Sequence, residues 1–482
     1  MRCEDVEAVG DGWARVVLDP EPLRASCEIL ESARRRGDPI YGLTTGFGPH
    51  VRYDASSDAE QQGANLIAHL AAGHGEPAPR RVVRATLAVR AQTMALGRSG
   101  ISPGAASAFV ALIDRDVCPA IPQIGSVGAS GDLIPLAHAA MVLTGRGGVL
   151  GAGGGLVPAG EALAAAGLEP TALSARDALA MVNGTAFMTA YAALALSRCE
   201  RLLGMAEGLT GWAMAALRAR RQSLDPRLHR ARGHSGQAVS AAGIAASLPG
   251  YFEDASRPLQ EVYSIRCAPQ ILGACRDQLA YARSVIETEL SGVNDNPVVC
   301  GTVEDPAVLH GGNFQGQQVA FAADAMNAAV TQAALLMERQ LDVVVNPELN
   351  GGAPLLLAWE PGATSGLAGG QITATALAAD MRRSATPSAV ATMPTNGRNQ
   401  DVVSMGTMAA RVAYEQTERA AAILAVHTTA LEQLAFLRSA GRAPGVAVHR
   451  PDWVPEVEGF EQDRSLYDDT QRIAQAFLTA AA

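Results

Sequence analysis

Residues 124–138 read IGSVGASGDLIPLAH, with glycines at 125, 128 and 131 around Ala129 and Ser130. An amide nitrogen attacks the carbonyl two residues earlier only where the backbone turns very tightly. Glycine at the attacking position lacks the Cβ that blocks this approach. Gly131 is that glycine, and Ala129 supplies the carbonyl. Loss of water from the ring, and then of the Ser130 hydroxyl, leaves a five-membered imidazolone with an exocyclic methylene. Such a chain makes its own electrophile. No charged group precedes Asp132 in this stretch, so charge is not its means of binding.

Elements that position such a loop are predominantly helical. Segments rich in Ala, Leu, Met, Arg and Glu cover 79–97, 104–117, 174–208, 271–291, 317–340, 366–382 and 403–438, and these strong helix formers outweigh any strand signal. Apolar residues fall on several faces, and small alanines let helix axes approach closely, which predicts a buried bundle within an oligomer. GRGGVLGAGGGLVPAGEAL (145–163) predicts a hairpin. A phosphate-cradling reading of its glycines fails for want of a following Lys-Ser/Thr, so no nucleotide is expected. A soft domain boundary near 205 precedes the polar run RARRQSLDPRLHRARGHSG. It gives an N-terminal part, 1–205, carrying the reactive loop, and a long-helix bundle, 206–482. The end, RSLYDDTQRIAQAFLTAAA, predicts a closing helix, with no separate C-terminal domain expected.

Composition narrows the partners. Lys plus Arg is 38 against 48 Asp plus Glu, a formal charge of −10, with no basic run to track a phosphate backbone, so nucleic acid is not an expected partner. The 175–206 stretch is apolar but interrupted by Asn183, Arg198, Glu200 and Arg201, which a membrane span tolerates poorly. No membrane partner is expected. Seven scattered cysteines without a CxxC pair, and an opening MRCEDVEAVG unlike a signal peptide, predict a reducing cytoplasm. The nine histidines are dispersed and no cluster has metal-ligand spacing, so no metal is expected.

The stretch GSVGASGDLIPLAH closely resembles the signature of the aromatic amino acid ammonia-lyases and aminomutases. In that family Ala-Ser-Gly becomes the prosthetic group MIO, 4-methylideneimidazole-5-one. Further matches follow in order: YGLTTGFGPH (41–50), MVNGTAFM (181–188), QEVYSIRCAPQILG (260–273), NDNP (294–297) and HGGNFQGQQVAFAAD (310–324). The resemblance implies a mainly α, fumarase/aspartase-like long-helix bundle subunit whose N-terminal part carries an MIO formed autocatalytically from Ala129, Ser130 and Gly131. Tyr41 is implied as the base removing the β-proton, and a glycine-lined site with nearby helix N-termini is expected to lower its pKa. Asn183, on an apolar helix, is costly to bury unpaired and is expected to bond the prosthetic ring or the substrate amine. Arg266 is implied to hold the substrate carboxylate through two parallel bonds. Tyr263 is implied to assist at the electrophile, Gln260 to border the site, Phe314 to pack near the prosthetic group and Asn313 to support it. Gln315 departs from the His that members often carry.

Selectivity in this family varies at a pair within NLIAHLAAGHG (65–75), which here reads His69-Leu70. Tyrosine-selective members resemble this pattern, phenylalanine-selective ones tend to Phe-Leu and histidine-selective ones to Ser-His. An imidazole can hydrogen-bond a phenol hydroxyl. Gln400 stands where histidine lyases usually carry Glu, and Ala68, small where tyrosine lyases have a bulky aromatic, predicts a wider pocket. The resemblance therefore implies deamination of L-tyrosine to trans-p-coumarate and ammonia by a homotetramer, with Tyr263 and Arg266 reaching each site from other chains. A tyrosine 2,3-aminomutase giving β-tyrosine, a histidine ammonia-lyase giving urocanate and a catalytically silent helical scaffold are the alternatives. Fumarase-like lyases without a self-made electrophile need a GSSxMPxKxNP-like serine loop, which is not found here.

Overall fold

The computed structural model describes residues 1–248, 250–448 and 450–479. These form seventeen α-helices and three two-stranded antiparallel ribbons. Helices occupy the expected windows at Arg80–Ala95, Pro103–Asp114, Ala268–Ser291, Gln317–Val345, Ala368–Arg383 and Gly406–Ser439. The hairpin is also present, pairing Gly148–Leu150 with Leu156–Pro158. Helix Tyr467–Thr479 forms near the C-terminus, and residues 480–482 of the expected closing helix lie outside the described residues.

One expected helix is two. The window 174–208 divides into Ala175–Val182 and Ala186–Ala216, with Gly184 between them at φ +150°, outside helical backbone. Apolar periodicity runs straight through this break, because it records burial and not backbone dihedrals.

The fold comprises two units, each assembled from separated stretches. The first takes residues 1–194, 283–324 and 387–411, and the second takes the remaining described residues. In the first, helices Ala59–Leu70, Leu133–Leu143 and Ala175–Val182 pack against one another. Leu30, Ala33 and Ile40 make a small core with Val299, from the ribbon of Val298–Gly301 and Pro306–Leu309. Tyr41 follows Ile40 directly, so this core sets the start of its loop. In the second unit Trp212 is fully buried and its indole N–H donates to the Val448 carbonyl at 3.1 Å. Helices Gln317–Val345 and Gly406–Ser439 are long and apolar enough to cross a membrane. However, 67 % and 83 % of their most apolar windows are buried inside the protein, so those faces are core. Among the described residues no cysteine forms a disulfide.

Candidate active site

Strand Pro122–Ile124 leads into the glycine-rich loop and helix Leu133–Leu143 leaves it. The backbone is left-handed at Gly128 (φ +69°) and Gly131 (φ +62°). Side chains are excluded at both. A Cβ at Gly131 would collide with the Gly184 carbonyl, and one at Gly128 with the Ser404 hydroxyl. Gly131 and Gly184 form a parallel bridge, and the next amide, that of Asp132, donates to the Gly184 carbonyl at 2.7 Å. The Asp132 carboxylate is fully buried and accepts from Ser126 Oγ (2.8 Å), Thr407 Oγ1 (2.5 Å) and the Met188 amide (2.8 Å). Burial outweighs these donors and pushes its pKa up to about 6. Ser404 Oγ donates to the Gly128 carbonyl at 2.9 Å, so segment 404–407 ties down both ends of the loop. Between these anchors Ala129 is buried, and Ser130 faces a cavity of about 790 Å3.

Tyr41 and Asn183 line the same cavity. The Gly48 amide donates to the Tyr41 phenol oxygen at 2.6 Å, and the Phe47 ring meets Tyr41 edge-on with centroids 6.1 Å apart. The expectation of a lowered phenol pKa is corrected: burial raises it, and the Gly48 N–H pulls the other way without prevailing. A phenolate loses more hydration than one amide returns. Asn183 is not in mid-helix but caps the C-terminus of Ala175–Val182 with extended backbone. Its Nδ2 donates to Asp295 Oδ1 (3.1 Å) and to the Asn296 carbonyl (2.9 Å). Both partners can only accept, so the amide orientation is unambiguous. Its carbonyl oxygen is the group left for a ligand.

Helix Ala59–Leu70 starts at Asp58, whose side chain accepts from the Gln61 amide at 2.9 Å. It presents Leu66, His69 and Leu70 to the cavity, positions three and four apart on one helical face. Ala68 lies elsewhere, lining a separate groove of about 490 Å3 with Gln61 and Ala64. The wider pocket expected from its small side chain is therefore corrected, since helical phase turns Ala68 away from the Ser130 cavity. His69 Nδ1 donates to the Asn65 carbonyl at 2.9 Å. A carbonyl only accepts, so in the neutral ring the proton is on Nδ1 and Nε2 carries the lone pair.

Phe314 lines the cavity too, whereas the Asn313 amide donates to the Val293 carbonyl at 3.1 Å. Gln315 Oε1 accepts from the Gln317 amide, at the start of helix Gln317–Val345, at 2.8 Å. Gln400 reaches in from a turn whose residues Asn396, Gly397 and Arg398 are all left-handed, and its Nε2 donates to Ser130 Oγ at 3.1 Å. Gln260, Tyr263 and Arg266 belong to the second unit and are not part of this lining. Gln260 is exposed, and Tyr263 is 70 % exposed with the Arg266 guanidinium 4.6 Å from its ring centre. Arg266 donates through Nε to the Glu261 carbonyl at 2.9 Å, and its terminal nitrogens make no hydrogen bond among the described residues.

Motif reading passed over the groups that hold the site together: Asp132, Ser404, Thr407, Arg90 and Asp295. Some left a signal. Asp132 is the lone carboxylate in an apolar, glycine-rich run, and Arg90 interrupts the apolar ATLAVRAQTMALG.

Comparison with known proteins places this geometry in a family. A model described as aromatic amino acid lyase matches residues 1–450. A tyrosine ammonia-lyase from Cereibacter sphaeroides is 41 % identical over 467 residues, covering 92 % of this chain and 89 % of the relative. A histidine ammonia-lyase from Treponema denticola is 37 % identical, covering 98 % and 94 %. Among solved structures, a tyrosine aminomutase from Streptomyces globisporus superimposes with a TM-score of 0.90 at 34 % identity, covering 99 % of this chain and 95 % of that one. Matched along nearly its whole length, with a loop built around Ser130 and open to a cavity, the chain belongs to the aromatic amino acid ammonia-lyase and aminomutase family, whose ammonia-lyases are carbon–nitrogen lyases.

Proposed function

We propose that the protein eliminates ammonia from L-tyrosine to give trans-p-coumarate, using an MIO formed autocatalytically from Ala129, Ser130 and Gly131. The residues present fit that group. Gly131 occupies a position where any Cβ collides, Ser130 faces the cavity with Gln400 on its hydroxyl, and Asp132 pins the loop from behind. Held in the loop of Ala129, Ser130 and Gly131, that group would supply an electrophilic carbon toward the substrate amine.

The chain's own residues do the rest. Tyr41 takes the β-proton on its phenol oxygen, and the Gly48 N–H already directed there favours the phenolate that this requires. The Asn183 carbonyl oxygen accepts from the substrate amine. Phe314 borders the reacting end of the cavity, with Asn313 and Gln260 as supporting groups. Arg266, arriving from another subunit of a homotetramer with Tyr263, clamps the carboxylate through its two terminal nitrogens. Support for this sharing comes from the exposure of Tyr263 and of Phe252 (88 %) and Leu259 (76 %) in the segment preceding it. Seven cysteines with no disulfide among the described residues support a reducing cytoplasm.

The observation that carries the substrate assignment is the His69–Asn65 hydrogen bond. It makes Nε2 an acceptor beside Leu70, suited to the hydroxyl hydrogen of a phenol. Likeness to a tyrosine aminomutase supports a second reading, in which the same residues return ammonia to the β-carbon. Incubating the protein with L-tyrosine, L-phenylalanine and L-histidine side by side tests both. We expect p-coumarate as the main product, formed fastest from L-tyrosine, by a species that sediments as a tetramer. Wild-type intact mass should be two waters lighter than the sequence, and Ser130→Ala should lack both the deficit and the activity. β-Tyrosine as the major product moves the assignment to the aminomutase, urocanate moves it to histidine, and an active Ser130→Ala ends the prosthetic-group reading.

A further inference from the structure

Three charged side chains are buried together behind Asn183. Arg90 and Asp295 are both 0 % exposed and pair at 3.0 Å, and Arg176, 4 % exposed, approaches the same Asp295 Oδ2 at 3.8 Å. Sequestering such groups from water is expensive, and an apolar trio of similar volume often packs as stably. Their arrangement is directional. Asp295 Oδ2 faces the arginines, while Oδ1 accepts from Asn183 Nδ2 (3.1 Å) and from the Asn296 amide (2.7 Å). Arg90 is itself held in place, donating through Nε to the Ala180 carbonyl at the end of helix Ala175–Val182 (2.9 Å) and through Nη1 to Asn294 Oδ1 (3.4 Å).

We propose that Asp295, ion-paired with Arg90 and Arg176, is a positioning residue: with the Asn296 carbonyl it engages both amide hydrogens of Asn183, so that Asn183 meets the substrate nitrogen only as an acceptor. The opposite amide orientation would set Asn183 Oδ1 against two acceptors and turn N–H groups toward an ammonium, which carries like partial charge. Anionic Oδ1 also polarises the amide, making its carbonyl a stronger acceptor. Asp295 acts through Asn183 and touches no substrate, which gives the NDNP segment a task in the site. The inference rests on the reading of Asn183 as an active-site residue, and Asn183→Ala tests that reading alone.

The experiment compares a ligand that has the amine with one that lacks it: L-tyrosine as substrate and 3-(4-hydroxyphenyl)propanoate as inhibitor. If L-histidine proves the better substrate, it is paired with 3-(imidazol-4-yl)propanoate. Asp295→Asn should lower kcat/KM roughly ten- to hundredfold while the inhibition constant of the amine-free ligand stays within about twofold and the two-water mass deficit persists. Asn183→Ala should behave alike, and the double variant should be no worse than the poorer single, because residues acting as one unit are non-additive. Equal weakening of both ligands, multiplying losses in the double variant or an unaffected Asp295→Asn overturns the proposal. Full activity in Asn183→Ala removes the reading of Asn183 itself. If Asp295→Asn does not fold, Arg176→Gln/Asp295→Asn, which removes one charge of each sign, is measured in the same way. A pair that also fails to fold makes the cluster a matter of stability and overturns the proposal.

Discussion

One hydrogen bond sets what His69 offers to the cavity. With Nδ1–H committed to the Asn65 carbonyl, the neutral ring offers a lone pair and no donor to the cavity. A phenol hydroxyl satisfies it, whereas an unsubstituted ring leaves it unpaired, and sites built for such a bond discriminate strongly. His69→Phe is therefore expected to reverse the preference between L-tyrosine and L-phenylalanine. The ratio of their kcat/KM values should change by roughly a hundredfold or more. Competition assays of wild type and variant measure it, and an unchanged ratio removes His69 from selectivity. The identity of this residue was legible in the sequence beside Leu70. Its tautomer was not, because that depends on an imidazole bending back one helical turn. Ala68 makes the complementary point: one position along, the side chain leaves the cavity altogether.

Between elements, the decisive contact is backbone on backbone. The Ser130 loop and the helix break after Asn183 meet at Gly131 and Gly184, and Arg90 and Asn294 press on Gly184 from its other side. A Cβ there would collide with the Arg90 guanidinium and come within 2.7 Å of Asn294 Oδ1. Gly184→Ala should thus displace both the Ser130 loop and the amide of Asn183. We expect a melting temperature several degrees lower, corresponding to about 2 kcal/mol or more, and a protein mass without the full two-water deficit. A variant with wild-type mass and melting temperature would show that the bridge is dispensable. The break itself was not legible. Alanine-rich residues 174–208 satisfy helical periodicity throughout, and only the close approach of another backbone makes a glycine with φ +150° the better solution.

Across the molecule, two fully buried titratable groups act on stability with opposite sign. His427 lies in helix Gly406–Ser439 with both ring nitrogens unbonded among the described residues, and burial lowers its pKa to about 3. Its unfolded counterpart takes up a proton below a pH of about 6.5, so the folded state loses stability as pH falls through that value toward 3, by about 1.4 kcal/mol per unit. Asp132, raised to about 6, does the reverse. Its unfolded form ionises above a pH of about 3.9 while the folded form holds its proton, so stability is lost as pH rises from there to 6. The two slopes offset between those limits. His427→Leu removes one of them, and also a buried polar ring without partners. The variant should melt higher than wild type at pH 7, with the gap widening as pH falls below 6.5. Paired melts at pH 7, 6 and 5 test this, and a constant gap would assign the acid response to other groups.

By itself the sequence determined the helical class, the hairpin, the glycine-flanked Ala-Ser-Gly tripeptide and the order of motifs that places the chain in its family. Those properties reside in composition, periodicity and short-range chemistry, which survive in a linear reading. Tertiary structure alone decided where the supporting groups come from. Asp132 with Thr407, Gly131 with Gly184 and Asn183 with Asp295 are remote in sequence, and each pairing exists only because burial makes an unmatched carboxylate, amide or glycine backbone too costly to leave alone.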